Sequence, residues 1–255
     1  MTHMTQPLRL ERPDGNTIAY LKRAAKANTP GVLWLSGFKS EMTGTKAAAL
    51  DAWAERTGRG YTRFDYFGHG ASSGDFRRGT VSRWRDDALA VIDKVTKGPL
   101  VLVGSSMGAW IALLAALARK DRVAAMVLIA PATDFTEALI WETLSEKQRR
   151  EIETKGEWLR PSAYDTDPYP ITRDLIEDGR QHLLLGRTID VSVPVHILHG
   201  MDDNDVPWLH ALKLVGVLNS TDVALELVKG GDHRLSTPAE IARLENAIER
   251  MLARL

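Results

Sequence analysis

Two rhythms of apolar positions alternate along this chain. Short continuous runs recur: Gly31-Val32-Leu33-Trp34-Leu35, Pro99-Leu100-Val101-Leu102-Val103, Val123 to Ala130, Val193 to Leu198 and Val223 to Val228. Their length and β-rich composition predict strands buried on both faces. Between them the apolar residues fall at helical spacing, from Gly44 to Arg56 and from Val81 to Val95, where Trp84, Ala88, Val91, Ile92 and Val95 share one stripe. Pro207 and Pro238 each open a further helix, Pro207 at a position suited to the first helical residue. Near the start, Leu8-Arg9-Leu10-Glu11 and Thr17 to Lys22 flank Pro13-Asp14-Gly15-Asn16, a strong hairpin signal. Thr62 to Tyr66 is another predicted strand, opening into the loop Phe67 to Gly74. Strand alternating with helix implies an α/β fold: a mostly parallel sheet of about eight strands with helices on both faces.

The rhythm breaks from about 134 to 190. Glu137 to Trp141 is predicted helical, Lys147 to Lys155 is a charged helix, Trp158 to Pro170 is irregular, and Ile171 to Leu185 is helical again. We expect a single domain over 1–255 with a helical insertion over these residues. There is no repeat and no low-complexity tract.

The pattern is most informative around Gly104-Ser105-Ser106-Met107-Gly108. A buried strand precedes it, and the nearly all-apolar Ala109 to Ala118 follows, ending on Arg119-Lys120. G-x-S-x-G is a common pentapeptide, but strand, tight turn and buried helix give it the context of a nucleophile elbow. Ser106 would then stand above the sheet at the positive end of the helix.

Composition narrows the chemistry. Lys plus Arg and Asp plus Glu both number 33 among 255 residues. That balance argues against nucleic acid or an anionic membrane as partner. There is no Cys, which excludes a thiol nucleophile, a disulfide framework and a thiolate metal site. No apolar stretch reaches the length of a membrane span. Met1 to Gln6 lacks a basic and an apolar region, so neither signal peptide nor transit peptide is expected, and a cytoplasmic protein is.

A serine nucleophile needs a base, and the base an orienting acid; in this fold type they follow in the order Ser, acid, His. Of the seven His, only His233 follows the last predicted strand, on the Gly-led loop Gly230-Gly231-Asp232-His233. His3 lies in the terminus, His69, His196 and His199 read as turn and strand-end residues, and His182 and His210 as helix-surface or lid positions. Asp203, Asp202 and Asp134 compete for the acid, all beyond strand ends where ligands bind in open α/β sheets. Two backbone N–H groups are required for an oxyanion. Met107, after the nucleophile, supplies one, and Phe38, after the strand ending at Leu35, the other. In the insertion Phe135, Leu139 and Trp141 form an apolar set predicted to line an acyl pocket.

These residues resemble the α/β-hydrolase fold over nearly the whole chain. Within it, Gly44-Thr45-Lys46-Ala47, Asp65-Tyr66-Phe67-Gly68, Lys155-Gly156-Glu157-Trp158 and Pro161-Ser162-Ala163-Tyr164 are similar to one subgroup. His199-Gly200-Met201-Asp202-Asp203 with Val206-Pro207-Trp208, Ser220-Thr221-Asp222-Val223 and Asp232-His233-Arg234 extend the resemblance. The subgroup is that of the mitochondrial palmitoyl-protein thioesterase, also described as a mycophenolic acid acyl-glucuronide esterase. The resemblance implies hydrolysis of a small-molecule acyl ester or thioester, without cofactor or metal, by Ser106, Asp203 and His233. C–C bond hydrolysis and perhydrolysis use the same triad, and a non-catalytic binding role on this fold is the remaining alternative.

Overall fold

The computed structural model describes residues 6–25, 29–161 and 167–255. His3 and the Ser162-Ala163-Tyr164 part of the resemblance lie outside the described residues. The first half of the chain runs β1 (Leu8–Glu11), β2 (Thr17–Arg23), β3 (Gly31–Leu35), α1 (Thr45–Thr57), β4 (Tyr61–Phe64), α2 (Val81–Lys94), β5 (Leu100–Ser105), α3 (Met107–Ala118) and β6 (Val123–Ile129). The insertion holds a π-helical turn (Phe135–Ile140), α4 (Glu146–Lys155), β7 (Glu157–Arg160), β8 (Tyr169–Thr172) and α5 (Arg173–Gly179). The chain closes with β9 (Val195–Gly200), α6 (Trp208–Val217), β10 (Val223–Val228) and α7 (Pro238–Leu252).

Among the described residues the main sheet has the order β1-β2-β4-β3-β5-β6-β9-β10. Only β1/β2 and β2/β4 pair antiparallel; every other neighbour is parallel. The order reverses between β3 and β5, so the connections that leave these two paired strands go to opposite faces of the sheet, to α1 and α3, and leave a crevice between them. Period-two alternation sorts the strand residues between two cores. Leu33, Leu35, Leu100, Leu102, Met126, Leu128 and Ile197 face α2, α3 and α6. Val32, Trp34, Val101, Val103, Ala125, Val127 and Ile129 face α1 and α7.

α3 is apolar all round because it is covered all round: Met107 through Ala116 are buried. One side lies on the sheet, and the other meets α2 and the insertion, where Trp110 Nε1–H donates to the His182 carbonyl. Phe135, Ile140, Leu144, Ile152, Ile171, Leu175 and Leu184 of the insertion belong to the same apolar cluster as α3.

Three local expectations are corrected. Trp158 to Pro170 is not wholly irregular: β7 and β8 form an antiparallel pair with Trp158 opposite Ile171 and Arg160 opposite Tyr169. The predicted helix Ile171 to Leu185 is shorter, because Ile171 and Thr172 are taken by β8 and the Thr172 side chain caps Leu175 N–H to start α5. Pro207 precedes α6 as its cap rather than opening it, whereas Pro238 sits in the first turn of α7 behind a Thr237/Glu240 capping box.

Candidate active site

Ser106 stands at the turn from β5 into α3 with φ +55 and ψ −120, a conformation costly for a non-glycine residue. Backbone bonds hold it there. Its N–H donates to the Ile129 carbonyl at 2.8 Å, and its carbonyl accepts from Ala109 and Ala132 N–H at 3.0 and 3.2 Å. The flanking glycines exist because backbone passes too close for a side chain. A Cβ on Gly104 would lie 2.5 Å from the Gly108 carbonyl oxygen, and one on Gly108 would overlap the Leu35 carbonyl.

The loops after β9 and β10 bring their side chains to this turn. Ser106 Oγ lies 3.0 Å from His233 Nε2, and His233 Nδ1 lies 2.7 Å from Asp203 Oδ2. With Asp203 as acceptor, the Nδ1 proton points at the carboxylate and Nε2 presents its lone pair to the serine hydroxyl. Asp203 is buried and fully engaged: Oδ1 accepts from Asp205 N–H at 2.9 Å and Val206 N–H at 2.8 Å. Burial alone would raise its pKa, but hydrogen bonds from His199 and His233 hold it well below the usual carboxylate range. His199, wholly buried, places Nε2 3.3 Å from Asp203 Oδ2 and 2.8 Å from the Val206 carbonyl. Of the competing acids, Asp202 is exposed, and Asp134 is turned to the insertion, accepting from Leu184 and Leu185 N–H.

Phe38 and Met107 both border the space above Ser106. No described residue accepts a hydrogen bond from either N–H. For Met107 this follows from its place in the first turn of α3, whose leading N–H groups have no partner inside the helix. Both amides are therefore available to a developing oxyanion.

The space is a cleft of about 660 Å³. Phe38, Met107, Phe135, Leu139, Ile140 and Ile171 give it apolar wall. The Phe38 ring joins body to insertion, with centroids 5.5 Å from Phe135, 6.1 Å from Tyr169 and 5.8 Å from Trp84. Polar residues line it as well, among them Ser40, Thr45, Lys46, Arg234 and Ser236. There Lys46 donates to the Arg234 carbonyl, and burial lowers its pKa to about 8.

Two sequence expectations need correction. Trp141 is not on the cleft wall; its ring lies against the guanidinium groups of Arg180 at 4.8 Å and Arg149 at 5.5 Å. His182 does lie in the insertion, but neither His182 nor His210 is at a helix surface: both are buried, His182 beside Ser82 Oγ at 2.7 Å and His210 donating to the Thr133 carbonyl at 2.7 Å. The residues that sequence reasoning missed are His199, Ile140 and Tyr169. His199 carried a signal in its place at a strand end four residues before Asp203. Ile140 and Tyr169 carried none, because only the folding of the insertion turns them inward. Asp203, Asp205 and His233 are the one acid and histidine group among the described residues close enough for a metal, and its atoms are those already bonded to Ser106 and to the loop.

Comparison with known proteins gives the family. A model described as the alpha/beta hydrolase family matches residues 32–244. The mouse palmitoyl-protein thioesterase ABHD10, named as mitochondrial, is 39% identical over 96% of this chain and 82% of its own length. The solved structure of alpha/beta hydrolase domain-containing protein 10 from mouse superposes with a TM-score of 0.90 at 37% identity, covering 98% of this chain and 99% of that one. A hydrolase-like protein from Agrobacterium vitis S4 superposes with a TM-score of 0.92 at 48% identity, covering 96% and 97%.

Proposed function

This chain belongs to the α/β-hydrolase family and is a serine hydrolase of the ester and thioester class; we propose that Ser106 is its nucleophile and that apolar acyl chains are its preferred cargo. The observation that carries the reading is the continuous line Ser106 Oγ, His233 Nε2, His233 Nδ1, Asp203 Oδ2, at 3.0 and 2.7 Å. As Ser106 Oγ bonds the acyl carbon, its proton passes to His233 Nε2. The carbonyl electron pair moves onto oxygen, where the Phe38 and Met107 N–H groups receive it. Collapse of the tetrahedral species expels the alcohol or thiol, which takes the proton back from His233. Water then repeats the sequence on the acyl-enzyme and releases the acid. Asp203 keeps the imidazole in the required tautomer and stabilises its cation, remaining ionised throughout.

The insertion over 134–190 acts as a lid on one body with the sheet, and Phe135, Leu139 and Ile140 wall the acyl site. These apolar lining residues support a hydrocarbon chain there. The name of the ABHD10 relatives supports a thioester, such as an S-acylated thiol, as one substrate. No helix among the described residues is long and apolar enough to cross a membrane. The compartment we propose is the cytoplasm, beside relatives named as mitochondrial; fractionation of cells that express the protein natively decides it.

The test is a series of p-nitrophenyl esters and matching thioesters from acetyl to long chains. Each buried methylene adds up to ~0.8 kcal/mol, about fourfold in kcat/KM, until the site is full. Ser106→Ala abolishes turnover and fluorophosphonate labelling, and Ser105→Ala, whose side chain is buried in β5, keeps both. A profile highest for acetyl and falling steadily with length sinks the acyl site; labelling that survives in Ser106→Ala sinks the nucleophile.

A further inference from the structure

The loop that carries Phe38 is held by a histidine that the reaction above does not use. Residues 37–40 form a tight turn, closed by the Ser40 N–H donating to the Gly37 carbonyl at 3.1 Å. Its third residue, Lys39, has φ +55, in the left-handed region that is unfavourable for a non-glycine residue. Such a turn keeps its shape only if its surroundings impose it. The Lys39 N–H donates to Nε2 of His69 at 3.1 Å. The other nitrogen of that ring, Nδ1, lies 3.0 Å from the Phe67 carbonyl.

A carbonyl only accepts and an amide N–H only donates, so these two contacts assign the tautomer: the proton is on Nδ1 and the lone pair on Nε2. Burial lowers the imidazole pKa to about 4, which keeps the ring neutral and Nε2 an acceptor at neutral pH. The ring is itself immobilised, edge-on to Tyr66, Phe76 and Trp84 with centroids at 5.7, 5.0 and 5.4 Å. The far end of the same loop is tied by the same segment: Met42 N–H donates to Asp65 Oδ1 at 2.6 Å, and Asp65 Oδ2 accepts from Ala71 N–H at 2.8 Å.

We propose that His69 is a positioning residue for the oxyanion hole: its Nε2 lone pair holds the plane of the Phe38–Lys39 peptide, and so keeps the turn that presents the Phe38 N–H to the reacting carbonyl. The proposal rests on the reading of Phe38 and Met107 as the oxyanion donors. A peptide is planar, so anchoring the Lys39 N–H removes rotation about the bond that joins Phe38 to that plane. A flip would turn the Phe38 carbonyl toward His69, leave its buried acceptor unmet and loosen the turn from which the Phe38 N–H projects. An oxyanion hole stabilises charge because its donors are already in place.

The experiment uses the full chain with His69→Phe, which keeps a ring but loses both nitrogens, and His69→Gln, whose amide oxygen offers the Lys39 N–H an acceptor. Three quantities are measured: kcat and KM on p-nitrophenyl butyrate, the affinity of an alkyl trifluoromethyl ketone, and the affinity of the matching unreactive ether. The ketone forms a tetrahedral adduct that fills the hole, and the ether does not. In His69→Phe, kcat and ketone affinity fall together by roughly 10- to 100-fold, while KM and ether affinity change less than about threefold; His69→Gln recovers part of both losses. Unchanged kcat and ketone affinity overturn the proposal, as does a loss shared equally by the ether. Should His69→Phe fail to fold, nitrogen-15 shifts of His69 in the wild-type protein still decide: a proton on Nε2 at neutral pH overturns it. Wild-type protein that binds the ketone no tighter than the ether overturns the parent reading of the hole together with this one.

Discussion

Asp203 and Asp134 are both buried carboxylates beyond the ends of neighbouring strands, and their hydrogen bonds give them different work. Asp203 receives His233 and His199 on one oxygen and two loop amides on the other. Asp134 receives the N–H groups of Leu184 and Leu185, at 2.8–3.0 Å, so it ties the start of the insertion to its end. Asp203→Asn places an amide against the imidazole and favours the wrong tautomer. It is expected to lower kcat by about 10³–10⁴-fold, with a stability loss of the same order as that of Asp134→Asn. Asp134→Asn can keep one oxygen acceptor but turns an NH₂ toward a backbone N–H. It is expected to cost about 1–3 kcal/mol in a denaturant titration and only a few-fold in kcat. Comparable kcat losses in the two variants would leave the acid unassigned.

At the scale of the element, the π-helical turn Phe135–Ile140 decides which insertion residues meet substrate. It carries Phe135, Leu139 and Ile140 onto the cleft and leaves Trp141 under Arg180 and Arg149, on the outside. Phe135 also packs against Trp110 in the core at 5.7 Å, so truncating it mixes specificity with stability. Leu139 is half-buried and gives the cleaner test. Leu139→Ala is expected to flatten the rise of kcat/KM with acyl length while acetyl-ester turnover stays within about twofold. Trp141→Ala is expected to leave that profile intact and to lower the thermal midpoint instead, through loss of its packing and cation contacts. A flattened profile in Trp141→Ala and not in Leu139→Ala would reverse the two assignments.

For the whole molecule, buried titratable groups set the pH dependence of stability. Burial lowers the pKa of His69 from 6.5 to about 4 and also lowers those of His182, His196 and His210. The unfolded chain takes these protons near 6.5 and the folded chain resists them. The contribution of His69 is therefore complete above 6.5 and lost as pH falls toward 4, and those of the other three fall in the same direction. Asp87 works in reverse: burial raises it from 3.8 to about 6, and its contribution is lost as pH rises through that range. The two oppose each other between pH 4 and 6, so the clean measurement is a difference. In His69→Gln the slope of unfolding free energy against pH between 6.5 and 4 is expected to become shallower by up to one proton, ~1.4 kcal/mol per pH unit. An unchanged slope in urea titrations across that range would mean that His69 is protonated alike in both states.

How much of this was legible in the chain follows from the range of the forces involved. Local pattern was enough for the alternation of strand and helix and for naming Ser106, His233 and three competing acids as candidates, because each depends on neighbours in sequence: apolar runs, paired glycines, loop residues after a strand. Tertiary structure decided what spans distance. The choice among Asp202, Asp203 and Asp134 depends on which carboxylate the β9 loop carries to His233, thirty residues on from Asp203. The strand pairing of β7 with β8, the inward turn of Ile140 and the outward turn of Trp141 arise because the insertion folds against α3 and has no periodic pattern of its own. His69 looked like a turn residue in the chain. Only the packing of the Asp65–Gly74 loop under residues 37–42 makes its Nε2 the acceptor for Lys39, since a hydrogen bond between residues thirty apart has no local signature.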